Sequence, residues 1–175
     1  MAKEEQANAA GVMGGRIRWG VGGLGRVVVA RLAPGCDIKR SIEEIAGAAG
    51  IEYGVILGGA ASLERAVLRN VRFPVQEWPI TDDIRIFSHV QGPLEMLAIS
   101  GNISRTTDGK AWVHGHITVS VGMPDGMALG GHLVDGAIVL STGEIAIAEV
   151  LGLAIERRLD PETRTQELYF SPGAR

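Results

Sequence analysis

The sequence holds a single cysteine, Cys36. That excludes an intrachain disulfide and any zinc cage built from cysteine thiolates. Aromatic residues make up only 5% of the chain, so the core has to be assembled from Val, Ile, Leu and Ala. Such a core can leave an apolar sheet face in need of a partner subunit. Cations are not in excess either: 17 Lys and Arg stand against 20 Asp and Glu, a net charge of −3. This argues against a strongly basic nucleic-acid binder, because phosphate neutralisation needs clustered Lys and Arg. No apolar run approaches the ~20 residues needed to span a bilayer. The first residues, with Lys3, Glu4 and Glu5, lack the apolar stretch of a secretory leader, and a cytoplasmic protein is the expectation.

What remains fits one domain: 175 residues, 46% hydrophobic and 21% charged. Glycine is abundant, with 25 residues spread among apolar runs, a pattern of turns and close backbone approaches. Residues 1–15 show no sustained period and are expected to be mobile, with a single domain over 16–175. Leu24–Leu32 reads as a strand ended by Pro34-Gly35. Ile38, Ile42, Ile45, Ala46 and Ala49 then recur at helical spacing, with Asp37 or Ser41 as cap and Gly50 as stop.

Ile51–Leu57 is a second strand, and Ser62–Phe73 is compatible with strand or helix before the breaks at Pro74 and Pro79. Ile84–Val90, Glu95–Ser104 (Leu97, Ile99 and Ile103 on one face), Trp112–Val121, Met127–Val134, Ala137–Leu140, Glu144–Leu151 and Gln166–Phe170 read as further strands. The fold class is α+β: a mainly antiparallel sheet with one or two helices.

Two glycine motifs and a basic stretch carry little chemistry. Gly20–Gly25 matches G-x-G-x-x-G, but a strand pattern, Arg26-Val27-Val28-Val29, follows where a dinucleotide site needs a helix. Ser120 before Gly122 does not make a nucleophile elbow. Arg16, Arg18, Arg26 and Arg31 have only Trp19 interleaved, which fits a solvated face or subunit contact better than base stacking.

The histidines are more informative. His114 and His116 lie two apart in a predicted strand, so both rings leave the same face. A hairpin centred near Pro124 pairs position 116 with position 132, which sets His132 across from His116 and diagonal to His114. Opposed Cβ atoms lie ~5 Å apart and diagonal ones ~7 Å. Three converging neutral imidazoles suit a divalent transition metal, with zinc, nickel, copper and iron all compatible, or another polar ligand. Hydrogen-bonding histidines on a polar sheet face are the simpler alternative. His89 has no such geometry and reads as surface. Glu95 and Glu149, in otherwise apolar strands, are either solvated or placed to orient a ligating imidazole.

The order of elements also carries a resemblance. Gly92–Ser104 (GPLEMLAISGNIS), His114-Gly115-His116, Pro124-Asp125-Gly126 and Gly130-Gly131-His132-Leu133 resemble the plants and prokaryotes conserved (PPC) domain. Arg31–Ile38, the helix and Gly58-Gly59-Ala60 fit the same order. The resemblance implies an α/β fold around an antiparallel sheet, assembled as a homotrimer. It implies a polar cluster or metal site at His114, His116 and His132, near a subunit boundary, with Glu95 at the family's acidic position. Plant members carry a separate AT-hook, which this chain lacks. Free-standing prokaryotic members are described as candidate DNA-binding proteins, so the resemblance leaves DNA, a protein partner or self-association open.

Overall fold

The computed structural model describes residues 9–72, 80–122 and 126–173. Ten strands and one α-helix follow each other as β1 (Ala10–Met13), β2 (Ile17–Gly20), β3 (Gly23–Leu32), α1 (Ile38–Ala48), β4 (Gly54–Val71), β5 (Arg85–Arg105), β6 (Ala111–Val121), β7 (Ala128–Leu133), β8 (Ile138–Leu151), β9 (Leu153–Leu159) and β10 (Gln166–Pro172). No helix among them is long and apolar enough to cross a membrane.

Helix α1 forms where the apolar spacing placed it. Asp37 is extended and its Oδ1 accepts from Arg40 N at 3.1 Å, satisfying one of the orphan donors of the first turn. Its Oδ2 also accepts from Gly136 N at 2.6 Å, which ties the helix start to the turn after β7. Ile38, Ile42 and Ala46 are fully buried against the sheet.

Eight strands form one sheet in the order β10-β9-β5-β6-β7-β4-β8-β3. Strand β4 pairs on one side with β5 along nearly its whole length; on the other it pairs with β8 and, beyond that, with β7 through Leu68↔Leu133 and Arg69↔His132. Because β5 pairs with β6 and β6 with β7, the strands β4, β5, β6 and β7 close a ring. Inside it lie Leu63, Leu68, Leu94, Ile103, Val113, Ile117, Val119 and Leu133, all at 1% exposure or less. The hairpin β1–β2 is a separate two-stranded sheet. It lies against β10: a side chain at Gly20 would meet Leu153 and Phe170.

Several expectations change. Ser62–Phe73, open between strand and helix, is strand through Val71 and continuous with Gly54–Leu57. Ile84–Val90 and Glu95–Ser104 merge into β5, and Ala137–Leu140 and Glu144–Leu151 merge into β8. Leu97 does not share the buried face of Ile99 and Ile103; it is 55% exposed. A bulge between Met96 and Ala98 adds one residue and turns Met96, not Leu97, inward. Strand β9 went unforeseen. Within the segment expected to be mobile, Ala10–Met13 pairs with Ile17–Gly20; residues 1–8 lie outside the described part. So do Pro74, Pro79 and the turn residues Met123, Pro124 and Asp125.

Candidate metal centre

Strand β6 alternates strictly. Val113, Gly115, Ile117 and Val119 are buried, so His114, His116, Thr118 and Ser120 face outward. The hairpin register is the one the spacing gave: His116 pairs with His132, and His132 pairs in turn with Arg69 of β4. Across β5 the partners are Ser100↔His116 and Asn102↔His114. One outward row therefore runs Ser100, His116, His132, Arg69, with Asn102 and His114 in the adjoining row.

Two glycines permit this crowding. Gly101 has φ +152°, and a Cβ there would lie 2.1 Å from the His114 carbonyl oxygen. A Cβ on Gly131 would press on Asn70, the Arg69 carbonyl and Leu68 at 3.0–3.1 Å, so its absence lets β7 reach β4.

The three rings converge. Their centroids lie 5.5 Å apart for His114 and His116, 4.8 Å for His114 and His132, and 5.1 Å for His116 and His132. One nitrogen from each falls within 4.8 Å of the others. Burial first, and then the Arg157 charge, lowers the His114 pKa to about 4. Burial and then the Arg69 charge lower that of His132 to about 3. Both rings are neutral at pH 7, as metal ligation requires.

Arg157 of β9 had no place in the sequence reading. It is 3% exposed. Its guanidinium donates to the Gln166 carbonyl at 3.1 Å, to Asn102 Oδ1 at 3.2 Å and, at 2.7 Å, to His114 Nδ1. Guanidinium cannot accept, so Nδ1 does, and the single proton of the neutral ring sits on Nε2. A metal-ligating imidazole ordinarily donates its far N–H to an acceptor; here the far partner is a donor. His116 and His132 accept no hydrogen bond at their rings among the described residues, so each has a lone pair to offer. His114 offers one through Nδ1 once Arg157 releases it. The donor set fits a borderline transition metal that takes nitrogen ligands. It suits magnesium or calcium poorly, since those demand oxygen.

The other candidates lie elsewhere. Glu149 is held by Arg26, accepting at 2.9 Å from Nε and at 2.8 Å from an NH2 group, and so serves no imidazole. Glu95 is exposed opposite Ser62 and Ser120. His89 is exposed and pairs with Val67. Cys36 packs at the rim of the core. Gly20–Gly25 runs from β2 into β3 with no helix after it. Arg157 left one trace in the sequence: with Leu153 and Ile155 it occupies the buried positions of an alternating strand, where an arginine needs a reason. Arg69 left none, because an outward arginine on a strand is ordinary.

A curled, mainly antiparallel sheet with one helix and an outward imidazole trio defines a small α+β domain with a candidate metal centre. Residues 20–151 match the model of the Plants and Prokaryotes Conserved (PCC) domain, and the chain belongs to that family. A curated relative, the bifunctional protein GlmU of Synechococcus sp. (strain JA-3-3Ab), is 33% identical over 149 residues, or 85% of this chain. The chain spans about a fifth of the length of the curated relatives it matches. Among solved structures, a metal-containing protein of Archaeoglobus fulgidus is similar with TM-score 0.68 and 26% identity, over 85% of this chain and 96% of that one. A PPC protein of Pyrococcus horikoshii gives 0.67 and 26%, over 90% and 99%. A protein of Bacteroides thetaiotaomicron, described as a candidate DNA-binding protein, gives 0.68 over 94% and 98%. At 21% identity it shares the fold alone.

Proposed function

We propose that this chain is a self-associating, homotrimeric PPC-domain protein in which His114, His116 and His132 hold one divalent transition metal, with zinc the foremost candidate. The observation that carries the reading is the outward face on which these imidazoles approach within 4.8 Å while burial and two arginines keep His114 and His132 unprotonated. The metal-containing Archaeoglobus fulgidus protein supports it. Three protein ligands leave a position open, and zinc there would lower the pKa of a bound water to about 7. This chain's own contribution is to align the rings by the register of β6 and β7 and to set guanidinium charge beside them. Self-association is supported by β3, an edge strand with Leu24, Val27 and Val29 57–73% exposed.

Protein purified without chelator should carry one metal per subunit by elemental analysis and run at three times the subunit mass. A metal-free protein that takes up no added zinc overturns the site. DNA association would show instead as binding that weakens steeply between two salt concentrations.

A further inference from the structure

From the charges around the imidazoles we infer that the open position of the metal is a docking site for a small oxyanion, a carboxylate or a phosphate. This rests on the metal reading above and names what the metal would take.

Three neutral imidazoles contribute no negative charge, so a divalent ion among them keeps both of its positive charges. Two guanidiniums add to it. Arg157 stands against His114, almost wholly buried, and its Nε is buried without a partner. Arg69 stands opposite His132 in the strand register. Among the described residues it makes neither a hydrogen bond nor an ion pair. Burial first, and then the neighbouring cation of Arg85, lowers its pKa.

The acids nearby offset this only in part. Glu167, hydrogen-bonded by the hydroxyls of Thr163 and Thr165 at 3.2 and 2.6 Å, keeps a negative charge that reaches Arg157 and His114 but forms no ion pair with either. Glu149 is taken by Arg26 and Asp82 by Arg85. No carboxylate bonds to Arg69, Arg157 or a histidine of the trio among the described residues. A cation flanked by two guanidiniums that hold no carboxylate of their own binds most favourably when an anion joins it, and the guanidinium fork of Arg69 matches the paired oxygens of carboxylate and phosphate. Asn102 and Ser100, on the same outward face, add polar side chains beside the position.

Cobalt(II) can stand in for the resident metal and reports its own ligands through visible absorption. The Co(II)-loaded protein is titrated with inorganic phosphate and, separately, with acetate, beside the Arg69→Gln and Arg69→Lys variants. The expected result is a saturable shift of the cobalt bands by at least one of the two anions, and the responding anion assigns the class. Arg69→Gln should weaken that titration at least tenfold at unchanged cobalt stoichiometry, and Arg69→Lys should recover most of it. Cobalt uptake in each variant verifies that its site is folded. Full uptake with bands indifferent to both anions overturns the inference and leaves the metal reading standing. So does an Arg69→Gln titration equal to the parent's, or equal anion affinity in the metal-free protein by calorimetry. Failure of the parent to take up cobalt overturns both.

Discussion

Two outward surfaces of the same sheet are built from opposite materials. On β6 and β7 the outward positions hold imidazoles, threonine and serine, flanked by Arg69, Arg157 and Asn102. On β3, at the far edge, the outward positions hold Val27 and Val29, with Leu24 brought to the same side by a bulge. Arg26 there has its acid, Glu149. The first surface gathers imidazoles and two guanidiniums that no carboxylate joins in an ion pair, the condition that calls for a small charged ligand. The second leaves apolar side chains and one edge of backbone groups uncovered, the condition that calls for another protein surface. At the opposite edge, β10 is already covered by the β1–β2 hairpin. Cations without an ion-pair partner and apolar groups without cover are different kinds of incompleteness, and each predicts a different binding event.

The sharpest way to separate the surfaces is to damage one and assay both. His132→Ala should cost metal affinity more than the roughly 10- to 100-fold that follows loss of an outer partner, while solution mass stays that of the parent. Val29→Asp should do the reverse: it places a charge where a subunit would close and should shift the assembly towards monomer in sedimentation, with metal per subunit retained. If Val29→Asp also strips the metal, the two surfaces are parts of one boundary site and the contrast collapses.

A subtler probe is pH in the metal-free protein. His114 and His132 have folded-state pKa values of about 4 and about 3, below the ordinary value of 6.5. The unfolded chain therefore binds protons first on acidification. Stability should be level above pH ~6.5 and fall as pH drops from there towards 4. Thermal melts across that range should show the loss, and His132→Gln should make it shallower; a parent melting curve flat from pH 7 to 4 would count against the burial of these rings. The smallest effect belongs to a position outside both surfaces. Asp37→Ala removes the cap of α1 and should cost roughly 1–2 kcal/mol in urea unfolding, with metal content and mass unchanged.

Much of this was legible in the residues because strand periodicity is simple. Two histidines two apart must share a face, and a hairpin centred near 124 must set 132 against 116; both follow from chain geometry. The cap at Asp37 was legible for the same local reason. What escaped was non-local or depended on a single inserted residue. The bulge after Met96 reverses the inward phase of β5, and no feature of that apolar stretch announces it. The union of two short strands into β8 hides because Gly143 interrupts the pattern although it pairs with both Leu32 and Ala61. Arg157 and Arg69 come to the imidazoles from strands β9 and β4, and only the closing of the sheet brings them together. Neither Glu95 nor Glu149 orients an imidazole: Glu95 lies exposed, and Glu149, an acid in an apolar strand that needs a partner, is held by Arg26.

The ring formed by β4, β5, β6 and β7 bears on how the centre would fill and empty. In a small metal-folded domain, the ion organises its own ligands and its departure unfolds the chain. Here the ladder that aligns His116 with His132 is locked by β4, which pairs with β7 on one side and with β5 on the other. Sliding β7 by one residue would break both its ladders and turn His132 away from His114 and His116. The geometry of the socket is thus part of the fold and outlasts its occupant. A metal held there would leave to a stronger chelator and be replaced without refolding, which makes the exchange of cargo, and not only its retention, a property that the architecture permits.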